Sequence, residues 1–142
     1  MLKVVRFGKT DSQSLNQAVE VDWDAPDIQT SVGFWTHTAG ASRITINDSG
    51  FYLVQCSIAV SGSVTRGNVG IQGYVDGTAV TSQGLGGYVR NASGHTSASS
   101  CINDAVEILN GQEFWIEAFQ AAASGTLSNI SGASSLVLAK IG

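Results

Sequence analysis

Apolar and polar positions alternate most strictly from Gly50 to Val60, GFYLVQCSIAV, where Tyr52, Val54, Cys56, Ile58 and Val60 share one face. Phe51, Leu53, Gln55, Ser57 and Ala59 share the other, which becomes smaller and more polar toward its end. A period of two over this length predicts a strand with one face in a core. Asp48, Ser49 and Gly50 supply the turn that launches it, and Ser61, Gly62 and Ser63 are expected to turn the chain at the far end.

The same period recurs on both sides of that stretch. Val19, Val21 and Trp23 alternate with Glu20 and Asp22, predicting a half-exposed strand that Pro26 and its acidic neighbours Asp24 and Asp27 end. Val32 to Thr38 is a short strand or an extended loop, and Arg43 to Ile46 buries Ile44 and Ile46. Val69 to Val75 alternates up to Asp76-Gly77, a turn pair that predicts a hairpin with Thr78 to Val80. Ser82 to Ser100 is small and polar, consistent with one exposed strand and a surface loop from Arg90 to His95. Cys101 to Leu109 fits either a short amphipathic helix or a strand. Glu113 to Gln120 is a strand with Phe114, Ile116 and Ala118 on one face and Trp115 and Phe119 on the other. Gly125, Ser128 and Ser131 to Ser135 read as linker, and Ser135 to Ile141 closes the chain as a strand. Met1 to Lys9, with Val4, Val5 and Phe7 among basic residues, opens it; residues 1–11 are either an arm reaching to a partner or an edge strand.

No segment carries a long, capped apolar helical stripe. The count is about eight to ten antiparallel strands at short spacing, the pattern of an all-β sandwich or jelly roll, with residues 1–142 expected to form a single domain. Composition agrees: 17 glycines, one proline, 43% hydrophobic and only 13% charged residues suit many short strands joined by tight turns. The net charge of −4 comes with no basic stripe, which argues against nucleic-acid binding. No apolar run approaches a membrane span, and charges interrupt the N-terminal apolar pieces, unlike a secretory signal. Two cysteines, Cys56 and Cys101, lack Cys-x-x-Cys spacing and suggest reduced thiols in a reducing compartment.

Candidate chemistry adds little. His37 and His95 are the two histidines, one in an aromatic patch and one in a Gly/Ser-rich loop, and no Gly-x-Ser-x-Gly elbow accompanies them. Histidines and cysteines at 37, 56, 95 and 101 lack the close pairing of zinc sites. Asp22, Asp24 and Asp27 read as an acidic turn rather than a calcium loop. The expectation is therefore no enzyme, no cofactor, no metal and no small-molecule substrate.

Three segments together resemble the globular head of the C1q and tumour-necrosis-factor-like superfamily. These are Gly50-Phe51-Tyr52 leading the long alternating strand, Leu109-x-Gly111-x-x-Phe114-Trp115, and the Ser/Gly-rich lead from Ser131 into the last apolar strand. The position after Gly111 that is usually acidic is Gln112 here. The resemblance implies a ten-strand jelly roll assembling as a homotrimer. It also places Cys56 and Cys101 on neighbouring strands, where a disulfide would be within reach. Small stand-alone domains of this kind look like bacteriophage structural proteins. The expected function is thus a viral capsid cement or decoration protein, assembled in the host cytoplasm and bound to the major capsid protein on the virion exterior. The alternative is a fibre or spike head, or a lectin-like module, using the loop from Gly84 to Ser100 on a receptor or glycan. Leu2, Lys3, Val4, Val5, Arg6 and Phe7 are the candidate capsid contact, an acidic body needing a complementary grip. Trp115 and Phe119 are the candidate trimer interface, where aromatics are enriched. Their competing readings are an ordinary strand and ordinary core.

Overall fold

A computed structural model describes residues 2–120 and 124–142. Within them the chain forms β1 (Lys3–Gly8), β2 (Val19–Glu20), β3 (Pro26–Gln29), β4 (Trp35–Thr36), β5 (Ile44–Ile46), β6 (Gly50–Val75), β7 (Thr78–Ala79), β8 (Gly84–Val89), β9 (Ser97–Ile108), β10 (Glu113–Gln120), β11 (Ser124–Asn129) and β12 (Ser135–Lys140). All pairings are antiparallel, and the strands make the two sheets of a jelly-roll sandwich, as the alternation predicts.

The stretch that begins at Gly50 does organise the fold, but it runs on to Val75 as one strand of 26 residues. Its first part lies between β12 and β9 in the first sheet, which continues from β12 through β1 to β3. Its last part lies between β10 and β7/β8 in the second sheet, which continues from β10 to β5 and β4, with β2 also on β10. The turn expected at Ser61-Gly62-Ser63 is absent. Gly62 serves close approach instead: a Cβ there would stand 1.9 Å from the Thr126 carbonyl oxygen of β11. The linker expected around Gly125 and Ser128 is accordingly the strand β11, paired with residues 60–66 of β6.

Two further expectations change. Pro26 opens a strand rather than ending one; it sits at the start of β3, an outer position where its missing N–H costs no ladder bond. The N-terminal segment is neither an arm nor an edge, because β1 is flanked by β12 and β3. Cys101 to Ile108, ambiguous by spacing, belongs to the strand β9. The Asp76-Gly77 hairpin forms as predicted, both residues at positive φ (47° and 88°), the type I′ geometry that matches strand twist.

The core is the inner faces of both sheets. Val5 and Phe7, Leu136 and Leu138, and Tyr52, Val54, Cys56, Ile58 and Val60 from the first sheet meet Val69, Ile71, Phe114, Ile116 and Ala118 from the second. Trp23 and Phe34 complete the interior from the long connections. At one end Asp48 closes the sandwich: its carboxylate takes Lys3 and Lys140, and its main-chain carbonyl accepts the Tyr52 hydroxyl at 2.6 Å. Burial, and secondarily the Asp48 charge, push the Tyr52 phenol up to about 12.

Candidate functional site

Strand register aligns the outward side chains of the first sheet in rows. One row runs Val4, Ala139, Leu53, Ala105 across β1, β12, β6 and β9. The next runs Arg6, Val137, Gln55, Asn103, and the one after it Gly8, Ser135, Ser57, Cys101. Before the first row, Phe51 lies opposite Glu107, and the Ile141 N–H donates to the Phe51 carbonyl at 2.8 Å. Phe51 and Ile141 are 52% and 58% exposed, a large apolar surface that no part of the described chain covers. The face thus grades from aromatic and aliphatic at one end to small and polar at the other. Midway it is indented by a shallow groove of about 280 Å³, lined by Gln55, Ser57, Cys101, Asn103, Ser135 and Val137 among others.

The residues proposed for the trimer interface from sequence lie elsewhere, on the outer face of the second sheet. Trp115 is only 4% exposed, because its own chain covers it. The Arg43 guanidinium lies 4.0 Å over its ring, and Tyr74, its cross-strand partner, stacks beside it at 6.0 Å. Its indole N–H reaches Glu117 Oε2 at 3.2 Å. Arg43 is held in place by hydrogen bonds from its Nε and Nη2 to the Glu20 carboxylate at 2.8 and 3.0 Å. That contact, outweighing burial, lowers the Glu20 carboxyl below its ordinary value. Phe119 lies flat over Gly70, where a Cβ would stand 2.4 Å from its ring, and is half-buried. Trp115 is thus covered by its own chain, while Phe119 keeps part of its surface open.

The candidate capsid residues separate by parity. Val5 and Phe7 are fully buried in the core. Val4 and Arg6 point outward in the rows above, Arg6 with Asp27 at 3.0 Å. Lys3 is engaged by Asp48, and Leu2, 62% exposed, is left at the surface. Cys56 and Cys101 are free thiols, the reading favoured from sequence, and the disulfide that the resemblance left within reach is not formed. Cys56 is paired with Ile102, and Cys101 with Ser57, so one thiol points into the core and the other out. Burial, and secondarily the nearby Cys101, push the Cys56 thiol far above its ordinary range. His37 sits edge-on to Phe7, its Nε2 2.8 Å from the Ala41 carbonyl oxygen, while His95 is exposed and bridged through its backbone to Arg90. Among the described residues no three His, Cys, Asp or Glu side chains are grouped to hold a metal ion.

The fold has close counterparts among solved structures despite low identity. Murine APRIL, in the crystal structure at pH 5.0, superposes with a TM-score of 0.71 at 13% identity, covering 99% of this chain and 100% of that one. At pH 8.5 the same protein gives 0.69 at 14% identity, with the same coverage. The Eiger TNF structure from S. frugiperda gives 0.64 at 12% identity, covering 99% of this chain and 93% of that one. No protein-family model and no curated protein sequence matches the chain. The architecture is therefore the TNF-like jelly roll.

Proposed function

We propose that this chain is a non-enzymatic structural protein that works as a homotrimer, and that the trimer decorates and reinforces the outside of a bacteriophage head. The observation that carries the trimer is the uncovered outer face of the first sheet. Phe51 and Ile141, exposed on a monomer and continued by the half-buried Leu53, Val4, Ala139 and Val137, form an apolar surface that another surface would cover. Small residues beside it let a second backbone approach closely. The occupant proposed is a second and third copy of this chain, arranged cyclically so that each contributes the same surface.

The capsid part of the reading rests on the resemblance set out from sequence, and on geometry: a closed trimer fits the local three-fold positions of an icosahedral shell, where it can grip neighbouring copies of the major capsid protein. With Val4 and Arg6 given to the subunit contact and Val5 and Phe7 to the core, the proposed capsid grip narrows to Leu2 and Lys3. Light scattering after size exclusion is expected to give three times the chain mass. Sedimentation with empty heads of the cognate phage is expected to recover the wild-type protein and lose Leu2→Asp. A monomer would overturn the trimer, and a wild-type trimer that stays in the supernatant would overturn the capsid reading. A fibre-head or lectin-like role is the second reading, supported by Leu85 and Tyr88 at 62% and 52% exposure beside the loop from Asn91 to His95. Selective retention on a glycan array would favour it over the first.

A further inference from the structure

Lys9, just beyond β1, is the one charged side chain among the described residues that the fold removes from solvent altogether: its side chain is 0% exposed. Its ammonium pairs with Asp22 Oδ1, donates to the Asp22 main-chain carbonyl at 3.1 Å, and stands 2.8 Å from Asp11 Oδ1. One amine is therefore enclosed with two carboxyl groups. The carboxyl groups are not equivalent. Asp22 side-chain exposure is 27% and that of Asp11 is 47%, so Asp22 is the more enclosed and Asp11 opens toward water. Burial, joined by the hydrogen bond and charge of Asp11, raises the Asp22 carboxyl against the pull of Lys9. Burial also acts on Asp11, but hydrogen bonds from Lys9 and Asp22 and the Lys9 charge outweigh it and hold Asp11 low. The two carboxyl groups around one amine are thus shifted in opposite directions.

We propose that Lys9 and Asp22 condense to an isopeptide bond, with Asp11 as the proton carrier, tying the end of β1 to the segment between β2 and β3. The step begins with proton transfer from the Lys9 ammonium to the Asp22 carboxylate, leaving a neutral amine against a neutral carboxyl group. The amine lone pair then forms a C–N bond at the Asp22 carboxyl carbon. Asp11 accepts the N–H proton and delivers it to the departing hydroxyl, the C–O bond breaks, and one water leaves past the two half-exposed carboxyl groups. Atoms and electrons balance without an oxidant or co-reactant. Holding amine and acid in contact replaces the activation that amide formation needs in solution. The inference does not depend on the trimer or on a capsid.

Intact mass spectrometry of the folded protein tests it. The expected mass is one water below that of the linear chain, and proteolysis is expected to release a branched peptide joining Lys9 to Asp22. Lys9→Arg is expected to keep the full mass, and Asp11→Asn to slow the water loss about 100-fold, the scale of a lost proton carrier. Asp76-Gly77 can also shed water by closing to a succinimide; that loss would persist in Lys9→Arg and yield no branched peptide. Full mass after prolonged incubation of the folded wild type overturns the proposal, leaving Lys9 as a buried ion pair. Water loss without the branched peptide overturns it equally. The branched peptide is read on the wild type, so the answer stands even if a variant fails to fold.

Discussion

Replacing Leu53 by Asp places a charge at the centre of the proposed subunit contact. Leu53 is half-buried in the single chain, because its cross-strand neighbours Ala139 and Ala105 are too small to cover it. Burying the rest of a leucine side chain contributes about 1 kcal/mol per subunit, roughly half of the full transfer value. Forcing an unpaired carboxylate into the same contact adds at least about 2 kcal/mol. Three subunits multiply the sum to about 9 kcal/mol per trimer, and at about 1.4 kcal/mol per tenfold change the dissociation constant rises by about six orders of magnitude. The variant is expected to elute at the mass of one chain, with its far-ultraviolet circular dichroism unchanged because the side chain points away from the core. Thr78→Asp, on the exposed hairpin strand β7, is the control and is expected to stay at the wild-type mass. A Leu53→Asp protein that remains folded and trimeric would refute the assignment of this face. Loss of the trimer in Thr78→Asp as well would refute its specificity.

Three further outcomes check other parts of the structure. Gly84→Ala puts a Cβ 2.2 Å from the Cys101 carbonyl oxygen, a backbone atom with no freedom to rotate away. Destabilisation of about 2–3 kcal/mol is expected, lowering the melting temperature by about 6–10 °C, and an unchanged melting temperature would contradict the close approach of β8 to β9. Hydrogen bonds from Lys3, then Lys140, hold the Asp48 carboxyl below its ordinary 3.8. A carboxyl lowered on folding stabilises above its unfolded value and loses that contribution as pH falls through the folded one. Urea midpoints should therefore drop more steeply below about pH 4 in the wild type than in Asp48→Asn, and coincident acid limbs would remove Asp48 from the account. Thiol titration should find Cys101 reactive in the native chain and Cys56 reactive only after unfolding. Cys101 should also react faster in Leu53→Asp than in the wild type; equal rates would place it outside the subunit contact.

Strands buried on one face were legible because burial imposes a period of two. Gly50 to Val60 and Glu113 to Gln120 each put one of their two alternating faces in the core, and the closing strand expected over Ser135 to Ile141 forms as Ser135–Lys140. Legibility failed where small residues perform a different task from the one their turn propensity suggests. Ser61, Gly62 and Ser63 have the composition of a turn, yet Gly62 is there to let β11 lie against β6. The Gly/Ser composition of β11 hid that strand in the same way, although Leu127 anchors it in the core. Lys9 was grouped with the basic surface of the N-terminus. Its burial follows from Asp11 and Asp22 meeting across the fold, a contact with no periodic signature.

Aromatic content points to Trp115 and Phe119 because interfaces favour such residues, but it cannot show that Trp115 is covered by its own chain. Arg43, fixed by Glu20, closes over Trp115, and three separate segments must meet before that cover exists. The face that does remain open is assembled from residues with little individual signal. Val4, Ala139, Leu53 and Ala105 are far apart in sequence, and Ala139 and Ala105 have no conspicuous chemistry. Alternation already put Leu53 outward, together with Phe51, and already showed that side of the strand fading from apolar to polar. What alternation cannot say is whether the neighbouring strands fade in the same direction. Register answers that: β12 runs antiparallel to β6, so Ile141 and Ala139 lie beside Phe51 and Leu53, Val137 beside Gln55, and Ser135 beside Ser57. The apolar end that the two strands share, Phe51 with Ile141 and Leu53 with Ala139, is the surface on which the proposed subunit contact rests.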